Sequence, residues 1–174
     1  MLKSNFFINP KRIKGNFNLK NRIKRYLQMP FLLFLNWLGY TNINFSYVHG
    51  DKKRVNVGTN CSTMNTIFNA ISGKILIGDH TIFGHNCMVL TGTHNFIDGK
   101  LAGLNGFPDQ ETPKEGRDIV IGEGCFIGSG TILIGPLTIG DNVLIASGSV
   151  VFKDVPSSCF VSGSPAQIKK IFDK

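Results

Sequence analysis

The sequence predicts an all-β solenoid, a coil of short strands stacked turn on turn, and three observations predict it. Ile121, Ile127, Leu133, Ile139, Ile145 and Val151 recur every six residues, and the same beat runs through Ile77, Phe83 and Val89 and through Val57 and Thr63. A small residue often follows the beat, as at Gly122, Gly128, Gly140 and Ala146. Glycine supplies 20 of 174 residues and phenylalanine 14, which suits recurring backbone corners around a stacked apolar interior. A fixed period held over this many units marks a repeat architecture.

Residues 1–54 form the N-terminal cap region. Helix formers mixed with basic residues run from Asn18 to Leu27, and Pro30 breaks the pattern. This predicts a helical cap that packs Phe31, Leu32, Phe34, Leu35 and Trp37 over the open end of the coil, since solenoids need capped ends. The net charge is +8, and before residue 55 Asp51 is the only acid among eleven lysines and arginines. A second reading, compatible with the first, is a basic and apolar patch that makes peripheral contact with an anionic membrane. The apolar stretch from Met29 to Tyr40 is shorter than the ~20 residues a spanning helix needs. With no signal-peptide pattern, the expected location is cytoplasmic, at the inner face of the membrane if the basic segment meets lipid. No zinc-finger spacing or RNP-like aromatic motif is present, so nucleic acid is not an expected partner.

Residues 55–156 form the repeat body. Each hexad supplies one strand and one corner, and three hexads close a turn of eighteen residues, with turns stacking about 4.8 Å apart. A non-repeat stretch near Phe68–Lys74 adds two residues, because Val57 to Ile77 is twenty. Cys61, Cys87 and Cys125 each fall four residues after a beat, an address shared with Thr81, Thr93, Thr131, Val143 and Ser149. The address holds small or β-branched residues, so the cysteines read as core fillers. No C-x-x-C pair is present, and no metal is expected.

The beat breaks after His94. It predicts a residue at Asn95, and the next clean position is Ile121, so an inserted loop occupies residues 96–118. Long loops in compact folds usually carry function. Strand alternation places Thr93 inward and His94 outward, at the mouth of this loop. The plainer reading of His94 is a surface histidine of no consequence. Residues 157–174 leave the repeat: Ser162-Gly-Ser-Pro-Ala166 reads as a turn and Gln167–Lys174 as a short basic helix.

The segments IGEGCFIGSGT (121–131), IGDNVLIASGSVVFKDVP (139–156) and GSPA (163–166) resemble those of the hexapeptide-repeat acyltransferases. The resemblance covers residues 55–170 and points to the maltose/galactoside O-acetyltransferase branch and its relatives that acetylate bacterial surface polysaccharides. It implies a left-handed parallel β-helix, a homotrimer with active sites between subunits, acetyl-CoA as donor and a sugar or glycan hydroxyl as acceptor. Thr91-Gly-Thr-His-Asn95 matches the family's catalytic-histidine segment, which makes His94 the general base. The same resemblance assigns Asn65, Asn69 and Phe126 to the acceptor, and Gly128, Ser129, Ser147, Lys153, Lys169 and Lys170 to the cofactor. Asn69 departs from the Asp often found there and Phe126 from the usual Trp, so the indole N–H donor is lost. Plainer readings stand beside these: Asn65 and Asn69 bonding neighbouring backbone at a frame break, the serines packing in the coil, and each lysine solvated.

Other functions remain open on the sequence. N-acetylation of a nucleotide-linked amino sugar fits the basic N-terminal half equally well. A non-catalytic scaffold would keep the coil. A metal hydratase of the γ-carbonic-anhydrase kind needs three converging histidines. His80 and His85 read instead as corner residues at different addresses, and His49 lies where the repeat is poor.

Overall fold

A computed structural model of the chain describes Phe34 and residues 46–97, 100–101 and 112–172. Contacts divide the chain into two units, Met1–Ile43 and Asn44–Lys174. The helical cap expected in the first unit lies outside the described residues. The second unit is a β-solenoid of about five turns.

One turn runs through β2 (Val55–Val57), β3 (Ser62–Thr63) and β4 (Ile67–Ala70), and the next through β5 (Ile75–Ile77), β6 (Ile82–Phe83) and β7 (Met88–Leu90). A small antiparallel hairpin, β8 (Phe96–Ile97) and β9 (Lys100–Leu101), opens the insertion. The coil resumes with β10 (Ile119–Ile121), β11 (Phe126–Ile127) and β12 (Ile132–Ile134), then β13 (Leu137–Ile139), β14 (Leu144–Ile145) and β15 (Val150–Val151). Each third strand falls in the same sheet. Sheet B contains β2, β5, β10 and β13, sheet C contains β3, β6, β11 and β14, and sheet A contains β4, β7, β12 and β15, all paired in parallel. A further strand, β1 (Tyr47–Gly50), pairs with β4 at the end of sheet A. The sheets of the coil therefore begin at Tyr47 among the described residues.

The six-residue beat is the inward column. Ile77, Phe83, Val89, Ile121, Ile127, Leu133, Ile139, Ile145 and Val151 are all buried. Each such side chain contributes roughly 1.5–3 kcal/mol on leaving water. Register follows the beat: Ile121 lies opposite Ile139, and Ile127 opposite Ile145. Val57 keeps the register with Ile77 but is 45% exposed, because β2 is the last strand of sheet B. Cys87 and Cys125 are buried at their expected inward address, as are Thr81, Thr131, Val143 and Ser149, while Cys61 is half-buried near the coil end. Burial pushes the Cys87 and Cys125 thiols up, away from the reactive thiolate.

The corners turn through left-handed backbone. Asn60, His80, Asn142 and Ser158 adopt it between sheets B and C, and Asn65 and Asn86 between sheets C and A. Asn tolerates this region best among residues with a side chain. His80 takes the same corner place as Asn60 and Asn142, with φ +57°.

Two local departures shift one strand. The corner Met64–Thr66 is one residue short, so Phe68, not Asn69, lies opposite Val89 and is buried. Ile71–Gly73 then adds a bend before β5. The two residues added overall are thus one lost and three gained, and Asn69 ends on the outward side of β4.

The C-terminal helix expected over Gln167–Lys174 is not formed. After β16 (Cys159–Gly163), which pairs in parallel with β14, the chain turns and returns as β17 (Ala166–Ile171), antiparallel to β16. An eight-residue helix cannot nucleate without packing, whereas the open edge of β16 offers a ladder of unpaired backbone groups. The turn at Ser162–Ala166 forms as expected.

Candidate active site

The triangular coil has three corner columns. The corner between sheets A and B collects the 3-10 turn Lys52–Arg54 after β1, the bend Ile71–Gly73, the segment Thr91–Asn95 and the return limb of the insertion, residues 112–118. A cavity of about 470 Å³ opens there, lined by His49, Asn69, Ile71, Gly92, Thr93, His94 and Thr112. His94 is exposed, but not by strand alternation: β7 ends at Leu90, no strand forms over 91–95, and Thr93, expected inward, is half-buried and lines the same cavity. Its Nδ1 lies 3.4 Å from Thr112 Oγ1.

Hydrogen bonds fix this corner. Asn69 Oδ1 accepts the Ile71 N–H at 3.1 Å, which sets its carboxamide over the bend. Thr91 Oγ1 donates to the Asn69 carbonyl at 2.8 Å and accepts the Ser72 N–H at 3.1 Å. The Arg117 Nε–H donates to the Thr91 carbonyl at 2.8 Å. One Arg54 nitrogen donates to the carbonyls of Ile71 at 2.9 Å and Lys114 at 2.7 Å. The limb carrying Thr112 is thereby tied to the coil at Lys114 and Arg117. Gly92 is required by a close approach: a Cβ there would stand 2.6 Å from the Asn69 carboxamide.

The remaining residues singled out in the sequence lie elsewhere on the chain. Asn65 sits at the other end of β4, on the corner between sheets C and A. Gly128, Ser129 and Ser147 share that corner column, and Phe126 stands 46% exposed on the outer side of sheet C. Ser129 Oγ accepts the His85 N–H at 3.1 Å, and a Cβ on Gly128 would meet the Ser147 backbone N at 2.4 Å, so successive turns stack tightly there. Lys169 and Lys170 lie on β17 in sheet C, where the Lys170 ammonium sits 5.4 Å over the Phe172 ring. Lys153 follows β15 on the corner between sheets A and B. One chain therefore holds two separate groups: His94 with Asn69 on one edge of sheet A, and Asn65, Gly128, Ser129 and Ser147 on the other. The width of the sheet, about 10 Å for a three-residue strand, separates them.

Two cavity residues escape sequence reasoning. His49 belongs to β1, lies opposite Asn69 in register and stacks on Tyr47 with ring centroids 6.5 Å apart. The signal for it is the twenty-residue offset that relates Val57 to Ile77, since the same offset relates Tyr47 to Ile67. Thr112 lies inside the insertion, where no periodicity reaches. His80 and His85 stand on two other corners, and among the described residues no group of three or more His, Cys, Asp or Glu side chains is placed to hold a metal ion.

The family model described as bacterial transferase hexapeptide (six repeats) matches residues 118–153, the stretch of β10–β15 with the cleanest beat. The fold agrees with a maltose O-acetyltransferase from Clostridium difficile 630, at a TM-score of 0.60 and 28% identity, covering 75% of this chain and 68% of that one. Over residues 118–153 the chain carries the hexapeptide repeat of that family. A second hexapeptide-repeat structure, an acetyltransferase from Vibrio cholerae O1 biovar eltor complexed with acetyl coenzyme A, gives a TM-score of 0.62 and 26% identity over 74% of this chain and 66% of that one. Serine acetyltransferase 2 of Arabidopsis thaliana is 33% identical over 100 residues, which is 56% of this chain and 31% of that protein. This hexapeptide-repeat chain thus spans about a third of the length of that curated relative.

Proposed function

We propose that the protein is an acetyl-CoA-dependent O-acetyltransferase that acetylates a hydroxyl of a sugar, in the building of a bacterial surface polysaccharide. The observation that carries this reading is His94, exposed in a cavity at the one long break in the repeat, with Thr112 at its Nδ1. The hexapeptide-repeat match and the acetyl-coenzyme-A complex of a similar fold favour acetyl-CoA as the donor. The maltose O-acetyltransferase likeness favours a sugar acceptor.

The chemistry follows from the residues. Acetyl-CoA brings an activated thioester, and the chain supplies binding and position. A sugar hydroxyl is a poor nucleophile until its proton leaves. In the tautomer whose Nδ1–H donates to Thr112 Oγ1, Nε2 of His94 carries no proton and takes the one the hydroxyl gives up as its oxygen attacks the thioester carbonyl. The C–S bond then breaks, the proton passes to the leaving thiolate, and an acetyl ester and CoA thiol result. Backbone N–H groups at a coil edge stabilise the oxyanion.

The donor groove is assigned to the other edge of sheet A, where Gly128, Ser129 and Ser147 line the corner beside Phe126, with Lys169 and Lys170 on β17 for the CoA phosphates. Those groups and His94 lie on opposite edges of one chain, so the reading requires a neighbouring copy. A homotrimer, in which the His94 edge of one subunit faces the Phe126 edge of the next, satisfies it. Among the described residues no helix is long and apolar enough to cross a membrane. Contact with the inner membrane face through the basic N-terminal region is part of the same proposal. Amino-sugar N-acetylation is the second reading, since the same base and donor serve an amine.

The test is thiol release from acetyl-CoA over free sugars, nucleotide-linked amino sugars and lipid-linked or polymeric glycans. The His94→Ala protein is expected to fold and to lose about 10²–10⁴-fold in rate with the best acceptor. Full acetyl transfer by His94→Ala, or no thiol release with any acceptor, counts against the assignment.

A further inference from the structure

Among the described residues the cavity is lined by two imidazoles, a carboxamide and two hydroxyls, with no carboxylate. Two guanidinium groups bond backbone carbonyls at or beside its lining residues. Arg54 is held on the carbonyls of Ile71 and Lys114, and Arg117 on that of Thr91, and neither is paired with a carboxylate among the described residues. Carbonyl dipoles anchor these charges without cancelling them. The described acids near this corner are engaged elsewhere. Asp51 accepts the Lys53 N–H in its own turn at 3.0 Å, and Asp118 accepts the Lys74 N–H at 2.7 Å. Glu115 and Asp118 line a separate cavity of about 180 Å³, with Arg54 and Lys74. His49 has no hydrogen-bond partner for its ring nitrogens among the described residues, and its ring is steadied by the stack on Tyr47.

We propose that this cavity recognises its acceptor through a negatively charged group, a carboxylate or a phosphate carried near the reacting hydroxyl, with His49 donating a hydrogen bond to it. The donors available there, and the Arg117 charge held on a carbonyl beside them, suit an anion better than a neutral sugar. His49 is then the residue that selects among acceptors, while His94 performs the proton transfer. The word acceptor rests on the acyl-transfer reading; the anion site does not.

The experiment measures binding by calorimetry, without turnover, for methyl galactoside, methyl galacturonate and galactose phosphate on the full chain. The wild-type protein should bind at least one anionic probe about tenfold tighter than the neutral galactoside, a ratio in the range that focused charge supplies. The preference should shrink as salt rises. In His49→Gln, checked for native circular dichroism, the preference should fall to near unity. Galacturonate alone gaining affinity identifies a sugar acid, and galactose phosphate alone a phosphorylated glycan. Equal affinity for neutral and charged probes, a preference that survives His49→Gln, or no binding of any probe overturns the inference. Thiol release from acetyl-CoA is scored separately. Anion binding without thiol release removes the acyl-transfer reading alone, and thiol release with neutral sugars and no anion preference removes this inference alone.

Discussion

Asn69 and Gly92 show how finely the His94 corner is set. The Asn69 carboxamide lies over Gly92, where a Cβ would come within 2.6 Å of it, and it is held by the Ile71 N–H. Gly92→Ala meets the end of a movable side chain and no backbone, so the coil should keep its melting temperature within a few degrees, a change of about 0.5 kcal/mol or less. Asn69, however, must swing out of its place in the cavity. Acceptor KM is expected to rise several-fold with the acetyl-CoA KM unchanged, which steady-state kinetics at varied acceptor and donor would read. Parts of this corner were legible in the sequence and parts were not. Thr91–Asn95 stood out because a histidine preceded the break in the beat. Asn69 was assigned through a resemblance, and only the one-residue shortening at Met64–Thr66 explains why it faces outward. His49 was invisible because β1 joins sheet A through a twenty-residue offset, and Thr112 because an insertion has no period to read.

At the scale of elements, the corners are clamped by acids that bond the preceding turn. Asp79 accepts the Thr59 N–H, Asp141 the Glu123 N–H, Asp118 the Lys74 N–H and Asp154 the Thr138 N–H, at 2.6 to 2.8 Å. The Thr59 N–H holds the Asp79 carboxyl below its ordinary value of 3.8. A carboxylate with a lowered folded pKa stabilises the fold at pH above its unfolded pKa, and that contribution is lost as pH falls through the folded value. The acid limb of the stability curve below pH 3.8 should therefore be shallower in Asp79→Asn than in the wild type, as acid-unfolding profiles would show. The C-terminal strand is the other element with a clear role. β17 covers the edge of β16, whose Cys159 and Val161 are buried, and carries lysines on the new edge. Lysine on an edge strand discourages pairing with other chains. Deleting residues 166–174 should lower the melting temperature and promote concentration-dependent association, which light scattering during a thermal ramp would register. The sequence suggested a helix here because eight residues carry too little pattern to separate a basic strand from a basic helix. The repeat itself was legible, since its inward column is a run of isoleucine, leucine and valine that nothing else in the chain imitates.

At the scale of the whole molecule, the division of candidate residues between two edges of sheet A is the feature that organises the proposal. His94 and the corner formed by Gly128, Ser129 and Ser147 lie on opposite edges of one chain, so the proposed acyl transfer calls for the edge of a second copy. Cyclic association is the symmetric way to give every copy the same pair of contacts. The most direct test mixes two variants expected to be inactive, His94→Ala and Ser147→Trp, the second crowding the exposed corner proposed to hold the donor. Co-refolded in equal amounts, they should regain about a quarter of wild-type activity with the best acceptor, because random mixing in a closed ring pairs an intact His94 edge with an intact groove at one boundary in four. No activity above that of the two separate variants would contradict a site shared between subunits with His94 as its base.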